Sequence, residues 1–235
     1  MENRRDRIQT IDAIRGLCVI MMVIHHFLFD LVAFHGAPAW LFSNPVFDIL
    51  HYIFAGAFIM LSGVSSRFSR SNIKRGLKVI AAALVITAVT SFMDMPIYFG
   101  ILHFLGFSMV FYGLMEKQLY RIPKKLAPVI YVSLGILSFL FIAYSGIRSK
   151  YLWILGITYQ DFFSADYFPI FPWLFVFLIG TLVGDVIRSG KFPKWFYDAK
   201  IPFLPPVGRK AFIIYLLHQP VLYTITYAAA KLLDR

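Results

Sequence analysis

Between Thr10 and Asp30 the chain reads TIDAIRGLCVIMMVIHHFLFD, a run long and apolar enough to cross a bilayer. Asp12 and Arg15 stand at its start, His25 and His26 interrupt its middle, and Asp30 lies beyond them. In a helix turning roughly 100° per residue, Arg15 and His26 fall within about 20° of each other, about 16 Å apart along the axis. Asp30 follows His26 by four residues, so the two can meet on that face. Ionisable groups inside a membrane are costly, and this set points to a functional site facing the protein interior. The plainer reading is a buried polar cluster that holds helices together.

Composition sets the class. Of 235 residues, 59% are hydrophobic and 15% charged, with a mean hydropathy of +0.71, which suits a polytopic membrane protein and not a soluble domain. A single cysteine, Cys18, excludes a disulfide framework and a cysteine-based metal site, and no metal is expected. Seven apolar spans are expected, near residues 15–35, 46–66, 77–94, 97–115, 127–146, 168–188 and 208–230. The fold class is therefore all-α, with residues 1–235 forming one compact membrane domain. The basic MENRRDR opening resembles a signal-peptide start, but the apolar run behind it is too long and too polar in its middle, so no cleavage is expected.

The net charge of +11 is explained by topology and not by nucleic acid. Arg4, Arg5, Arg7 and Arg15 precede or open the first span, and Arg67, Arg70, Lys74, Arg75 and Lys78 follow the second. Further groups follow the fourth and sixth spans, so that 19 cations fall on one side against 4 on the other, in strict alternation. This places the N-terminus in the cytoplasm and the C-terminus outside, in a multi-pass protein of the cytoplasmic membrane. Arg67, Arg70 and Arg75 cluster at the cytoplasmic end of the second span. They suit anionic lipid heads, or a phosphate site, because arginine offers a planar fork of donors to phosphate oxygens. Just before them, Ser62, Gly63, Ser65 and Ser66 permit close helix approach.

His103 and His218 each stand alone among apolar residues, where a histidine is commonly a satisfied core hydrogen-bonder. Together with His26 and Asp30 they suggest one polar cavity. Gln219 and Pro220 are expected to loosen the last span and free a carbonyl. Outside, Asp166, Tyr167 and Trp173 suggest a wall for a sugar-like acceptor, although Trp and Tyr at a boundary also serve as interfacial anchors.

The run IDAIRGLCVIMMVIHH resembles the opening motif of the membrane acyltransferase superfamily, and RFSR at Arg67–Arg70 resembles its paired-arginine motif. With FGILHFLG, DYFPIFPWLFVFLIG and GRKAFIIYLLHQPVLY, the chain resembles the heparan-α-glucosaminide N-acetyltransferase catalytic-domain family in its short bacterial form. The resemblance covers essentially the whole chain. It implies transfer of an acyl group, usually acetyl from acetyl-CoA, onto an extracytoplasmic hydroxyl or amine. It implies His26 as the base and Arg15, Arg67 and Arg70 as donor-side arginines, with Arg75 added from its position in the cluster. His35 is a second candidate base or an acceptor contact. The chain is shorter than ten- or eleven-span relatives, so part of the acceptor site is expected either to be missing or to be supplied by another subunit of a homo-oligomer.

Physical chemistry fits that expectation. CoA is a polyanion that stays at the basic rim, while its thin arm reaches about as far as Arg15 lies from His26. His26 would act as general base, Asp30 would orient its ring, and His103 or His218 would donate to the thioester oxyanion. Two other readings use the same residues, a proton-coupled transporter and a di-histidine haem protein. A retinal-type protein is rejected, because the last span carries lysines only at its ends, Lys210 and Lys231.

Overall fold

A computed structural model describes residues 7–233. Arg4, Arg5 and Arg235, counted above for orientation, lie outside the described residues. The described chain is helical, in the order α1 (Gln9–His35), α2 (Pro45–Ser66), α3 (Asn72–Phe92), α4 (Ile101–Leu119), α5 (Ala127–Tyr144), α6 (Ile170–Arg188), α7 (Lys194–Asp198), α8 (Leu204–Arg209) and α9 (Ala211–Leu233). Six helices are long and apolar enough to cross a membrane. The remaining expected span is α4, a helix of 19 residues whose last turn carries Glu116, Lys117 and Gln118.

Local chemistry sets the helix ends. Asn44 Oδ1 accepts from Val46 N and Phe47 N, both at 3.1 Å, and Pro45 begins α2 with its φ already suited to a helix. Ser71 Oγ accepts from Lys74 N at 3.3 Å, so α3 starts five residues before the apolar run read from sequence. Gly36 ends α1 with φ +67°, a left-handed conformation that glycine adopts without steric cost. Residues 97–100, expected inside the fourth span, are extended instead. Phe99 forms a β-bridge with Tyr167, and its carbonyl accepts from Phe168 N at 2.8 Å.

The chain divides into two compact units. The first contains residues 7–58 and 192–233 of the described chain. Here α1 packs against α7, α8 and α9. A Cβ on Gly16 would sit 2.3 Å from Leu204 O, and one on Gly208 only 1.8 Å from Asp12 O, so α1 and α8 are in backbone contact. Thr10 Oγ1 donates to Phe196 O at 2.7 Å, fixing α7 beside the start of α1. Along α9 the contacts advance with α1: His26 meets His218, Asp30 meets Gln219, and Phe34 meets Tyr223. The two helices therefore run parallel. Pro220 lies inside α9 without breaking it, so the expected local loosening does not interrupt the helix.

The second unit contains residues 59–191. Its centre is α4, where Phe104 and Ser108 are fully buried. Gly76 and Gly113 of adjoining segments approach so closely that a Cβ on Gly76 would meet Val110 N at 2.9 Å and one on Gly113 would meet Ile73 N at 3.2 Å. Met60 and Gly63 press on Phe177 and Gly180 in the same way, placing the end of α2 against α6. Most of α5 is exposed and apolar, with only Ala127 and Tyr131 buried, as a lipid-facing helix requires.

Candidate functional site

In the first unit, α1 presents His25, His26, Asp30 and His35, α2 presents His51, and α9 presents His218 and Gln219. His26 Nδ1 lies 2.9 Å from Met22 O, and His218 Nδ1 lies 2.7 Å from Tyr215 O. A carbonyl can only accept, so each Nδ1 carries a proton, and in the neutral form of either ring the lone pair is left on Nε2. The two rings meet edge to face with centroids 4.8 Å apart. His218 Nε2 is buried and makes no hydrogen bond to a described residue. As a neutral ring it accepts, which reverses the donor role expected for it at an oxyanion.

Asp30 has no exposed surface. Its Oδ1 accepts from Gln219 Nε2 at 2.6 Å, while Oδ2 and Gln219 Oε1 have no hydrogen-bond partner among the described residues. The expected direct His26–Asp30 pairing is therefore replaced by two separate anchors: Met22 O orients the His26 ring, and Gln219 holds Asp30. The amide of α9 offers Asp30 a donor from across the helix interface, which helical spacing within α1 does not foresee. His35 Nε2 and His25 Nδ1 are likewise buried without hydrogen bonds among described residues. Buried polar atoms are normally paired, so this concentration of atoms without partners among the described residues makes the cluster the candidate site.

His25 was noted in the first span but given no role, and His51 was not expected at the site; both join it. The His25 ring lies 4.5 Å from that of His51 and 5.7 Å from that of His26. The signal for His51 was in the sequence: it too is an ionisable side chain within a membrane-length apolar segment.

Within the first unit the structure brings together His26, Asp30 and His218 of the expected polar set; His103 belongs to the second unit and is described there. The Thr87 hydroxyl donates its one hydrogen to Ile97 O, so it accepts from His103 Nε2–H at 3.1 Å. The His103 ring stacks on Phe99, with Asp166 as its charged neighbour. Asp166 Oδ2 accepts from Ile101 N at 2.9 Å, capping the start of α4. Trp173 packs its ring 5.3 Å from Phe168. Tyr167 donates to Trp153 O, and burial pushes its phenol up to about 12.

The arginines divide by environment. Arg67 Nε donates to Asp185 Oδ1 at 2.6 Å, and Nη1 to Tyr112 and Glu116. Burial would lower the Arg67 pKa, but the hydrogen bond and charge of Asp185, with Tyr112 and Tyr120 beside it, outweigh that and hold the group above its ordinary value. Arg70 is exposed, and Arg75 is half-buried with Nη1 at 3.3 Å from Ser65 O. Arg15 lies in the first unit, where Nη1 donates to Asp12 Oδ1 at 2.7 Å and Arg7 shares the same carboxylate. Asp185 and Glu116 were missed from the sequence, although Asp185 is an acid inside an expected span and could have been flagged by the rule that found Asp30. Among the described residues, no three His, Cys, Asp or Glu side chains come together to hold a metal.

The sequence model of the family described as heparan-alpha-glucosaminide N-acetyltransferase, catalytic, matches residues 7–220. No curated protein and no solved structure matches the chain. The match spans the buried histidine–carboxylate cluster, both arginine groups and almost every apolar helix. This multi-pass membrane protein belongs to the heparan-alpha-glucosaminide N-acetyltransferase catalytic family.

Proposed function

We propose that the protein transfers an acetyl group from cytoplasmic acetyl-CoA to a hydroxyl or amine of a carbohydrate-like acceptor on the outer side of the cytoplasmic membrane. The observation that carries this reading is the buried cluster of His26, His218, Asp30 and Gln219 in a chain of an acetyltransferase family. Acetyl-CoA, as donor, supplies the thioester carbonyl.

His26 acts as general base. Its Nδ1–H is held by Met22 O, which leaves Nε2 to take the proton of the acceptor group. Asp30, fixed by Gln219, offers a fully buried carboxyl group near the imidazolium that forms, acting through the field and not through a direct bond. His218 accepts a hydrogen bond from the acceptor through its unpaired Nε2. His35, at the end of α1, is an acceptor contact, and Asp166 and Trp173 remain candidates for the acceptor wall.

Donor phosphates suit arginines whose charge is not already offset. Arg70, exposed on its loop, meets that condition better than Arg67, which is held by Asp185 and Glu116, and Arg75 stands near it in the same cluster. Arg15 and Arg7 both donate to Asp12 at the start of α1, which keeps Arg15 a candidate donor-side arginine.

The test combines binding with turnover in purified protein. Calorimetry should find micromolar acetyl-CoA binding that Arg70→Ala/Arg75→Ala weakens at least tenfold, about 1.4 kcal/mol. Labelled acetyl transfer to glucosamine should fall by a factor of about 100 or more in His26→Ala with folding intact. Absence of donor binding by the wild type, or full activity of His26→Ala, removes the reading. Substrate flux without acetyl transfer would favour a transporter instead.

A further inference from the structure

The first unit holds five of the six histidines: His25, His26, His35, His51 and His218. Four form a row in the order His51, His25, His26, His218, with successive ring centroids 4.5, 5.7 and 4.8 Å apart. General-base chemistry at His26 gives no task to His25 or His51. Proton accounting does.

An amine acceptor arrives as an ammonium ion and leaves as an amide. A C–N bond forms, the C–S bond of the thioester breaks, and the nitrogen gives up two protons. One ends on the departing thiol and the other is released. A hydroxyl acceptor gives up one proton, which ends on the thiol, so nothing is left over. With an amine, a proton collected by His26 must leave a buried site before the next turnover.

We propose that His25 and His51 are the proton outlet of His26, serving the amine acceptor that the family's description implies. The proposal rests on the acetyltransferase reading and on His26 as base. The proton passes from His26 to His25 and on to His51, which sits three residues after Asp48 in the first turns of α2. Asp48 is exposed and completes the way to water. His25 Nδ1 is buried and makes no hydrogen bond to a described residue, so it is available to receive or pass a proton. The 5.7 Å step between His25 and His26 is spanned by ring rotation or a bridging water.

The opposite direction is a dead end. His218 has Nδ1 tied to Tyr215 O within α9, and among the described residues of the first unit its ring meets no histidine besides His26. The titratable groups around the row are Asp30 and His35 on α1, Asp48 and Tyr52 on α2, and Tyr215, His218 and Tyr223 on α9. The segment 38–44 contributes the Phe42 ring and no charge. Helices α7 and α8 pack at the opposite end of α1, near Thr10, Asp12 and Gly16. Under the orientation proposed above, the outlet opens on the extracytoplasmic side.

Nitrogen-15 NMR of histidine-labelled full-length protein in lipid nanodiscs reads the rings without requiring turnover. The expected result is that His25 and His51 titrate as a coupled pair, their two steps separated by more than about one pH unit, and that His51→Gln collapses this to a single step. Independent titration of the two rings overturns the outlet. Transfer from acetyl-CoA to glucosamine supplies the second measurement: His51→Gln should slow turnover about tenfold with donor KM unchanged, and added imidazole should restore it. Equal slowing with a hydroxyl acceptor, or loss that imidazole does not rescue in a folded variant, also overturns the proposal. If the wild type transfers no acetyl at all, the acetyltransferase reading fails, and the titration still decides whether the pair shares a proton.

Discussion

Arg67 makes hydrogen bonds to Asp185, Tyr112 and Glu116, and its guanidinium carbon lies 4.7 Å from the centre of the Tyr120 ring. Its side chain is only 10% exposed, so Arg67→Ala strands two acids at a half-buried position. The expected cost is about 2–3 kcal/mol, below the full penalty for breaking a buried pair because Glu116 is half exposed. Arg70→Ala, at an exposed loop position, should change stability by less than about 0.5 kcal/mol. Thermal unfolding in detergent separates the two, and equal melting temperatures would show that the Arg67 network contributes nothing. His103 allows a similar contrast with His26. Its Nε2–H is committed to Thr87, so His103→Gln, which keeps a donor, should retain transfer within a few-fold, while His26→Gln should lose it. Loss of catalysis with normal melting in His103→Gln would return His103 to the chemistry. At this scale the sequence revealed which side chains were out of place in an apolar run, but not their partners. Gln219, Asp185 and Glu116 reach Asp30 and Arg67 from helices far along the chain, and no local spacing encodes that.

At the level of helices, hydropathy located seven segments, and the structure has a long helix at each. Their ends shifted where caps and non-local pairing act. Ser71 extends α3 into polar sequence, and the Phe99–Tyr167 bridge delays α4 until Ile101. The short α7 and α8 were not expected, since neither is long enough to show a periodic apolar face, and α8 opens with consecutive prolines. The contacts of α8 explain its place. Gly208 lies against Asp12 O, so Gly208→Ala puts a Cβ into backbone, which cannot rotate aside as a flexible side chain could. Gly180→Ala meets Met60 O at 2.1 Å in the second unit. Each substitution should cost about 1–3 kcal/mol through forced separation of helices. Gly190→Ala is a useful comparison, since no atom lies within 4 Å of its Cβ, although its φ of +73° adds conformational strain. Lowered melting in Gly208→Ala and Gly180→Ala, beyond that of Gly190→Ala, is the expected result. The Gly63 side of the second crossing was readable from its run of small residues, whereas Gly208 was not, because the partner surface on α1 is unremarkable in sequence.

For the molecule as a whole, helix direction constrains how often the chain crosses the membrane. Within the first unit, α1 and α9 run parallel, as the successive pairs His26–His218, Asp30–Gln219 and Phe34–Tyr223 require. Parallel first and last spans need an odd number of crossings between them. Within the second unit, Met60 lies against Gly180 and Arg67 against Gly184, so α2 and α6 also run parallel, and an odd number of crossings must separate them as well. Both conditions hold if α3, α4 and α5 each cross, and both fail if α4 does not. Helix α4 also runs antiparallel to α3, since Ile73 lies against Gly113 and Ile80 against Gly106. On that arrangement the polar last turn of α4 is expected to end at the water boundary, which an experiment can decide. The charge pattern, 19 cations against 4, is the pattern expected for seven crossings with the N-terminus inside. Cysteine accessibility tests this in a Cys18→Ser background, since Cys18 is the only native thiol. With Asp94→Cys and Lys124→Cys on either side of α4, an impermeant maleimide added outside intact cells should label Asp94→Cys and leave Lys124→Cys unmodified until the membrane is opened. Labelling of both from the same side would remove α4 as a span. The parallel pairing of α1 with α9 would then have to be abandoned, and with it the contact between Asp30 and Gln219 on which the proposed site depends.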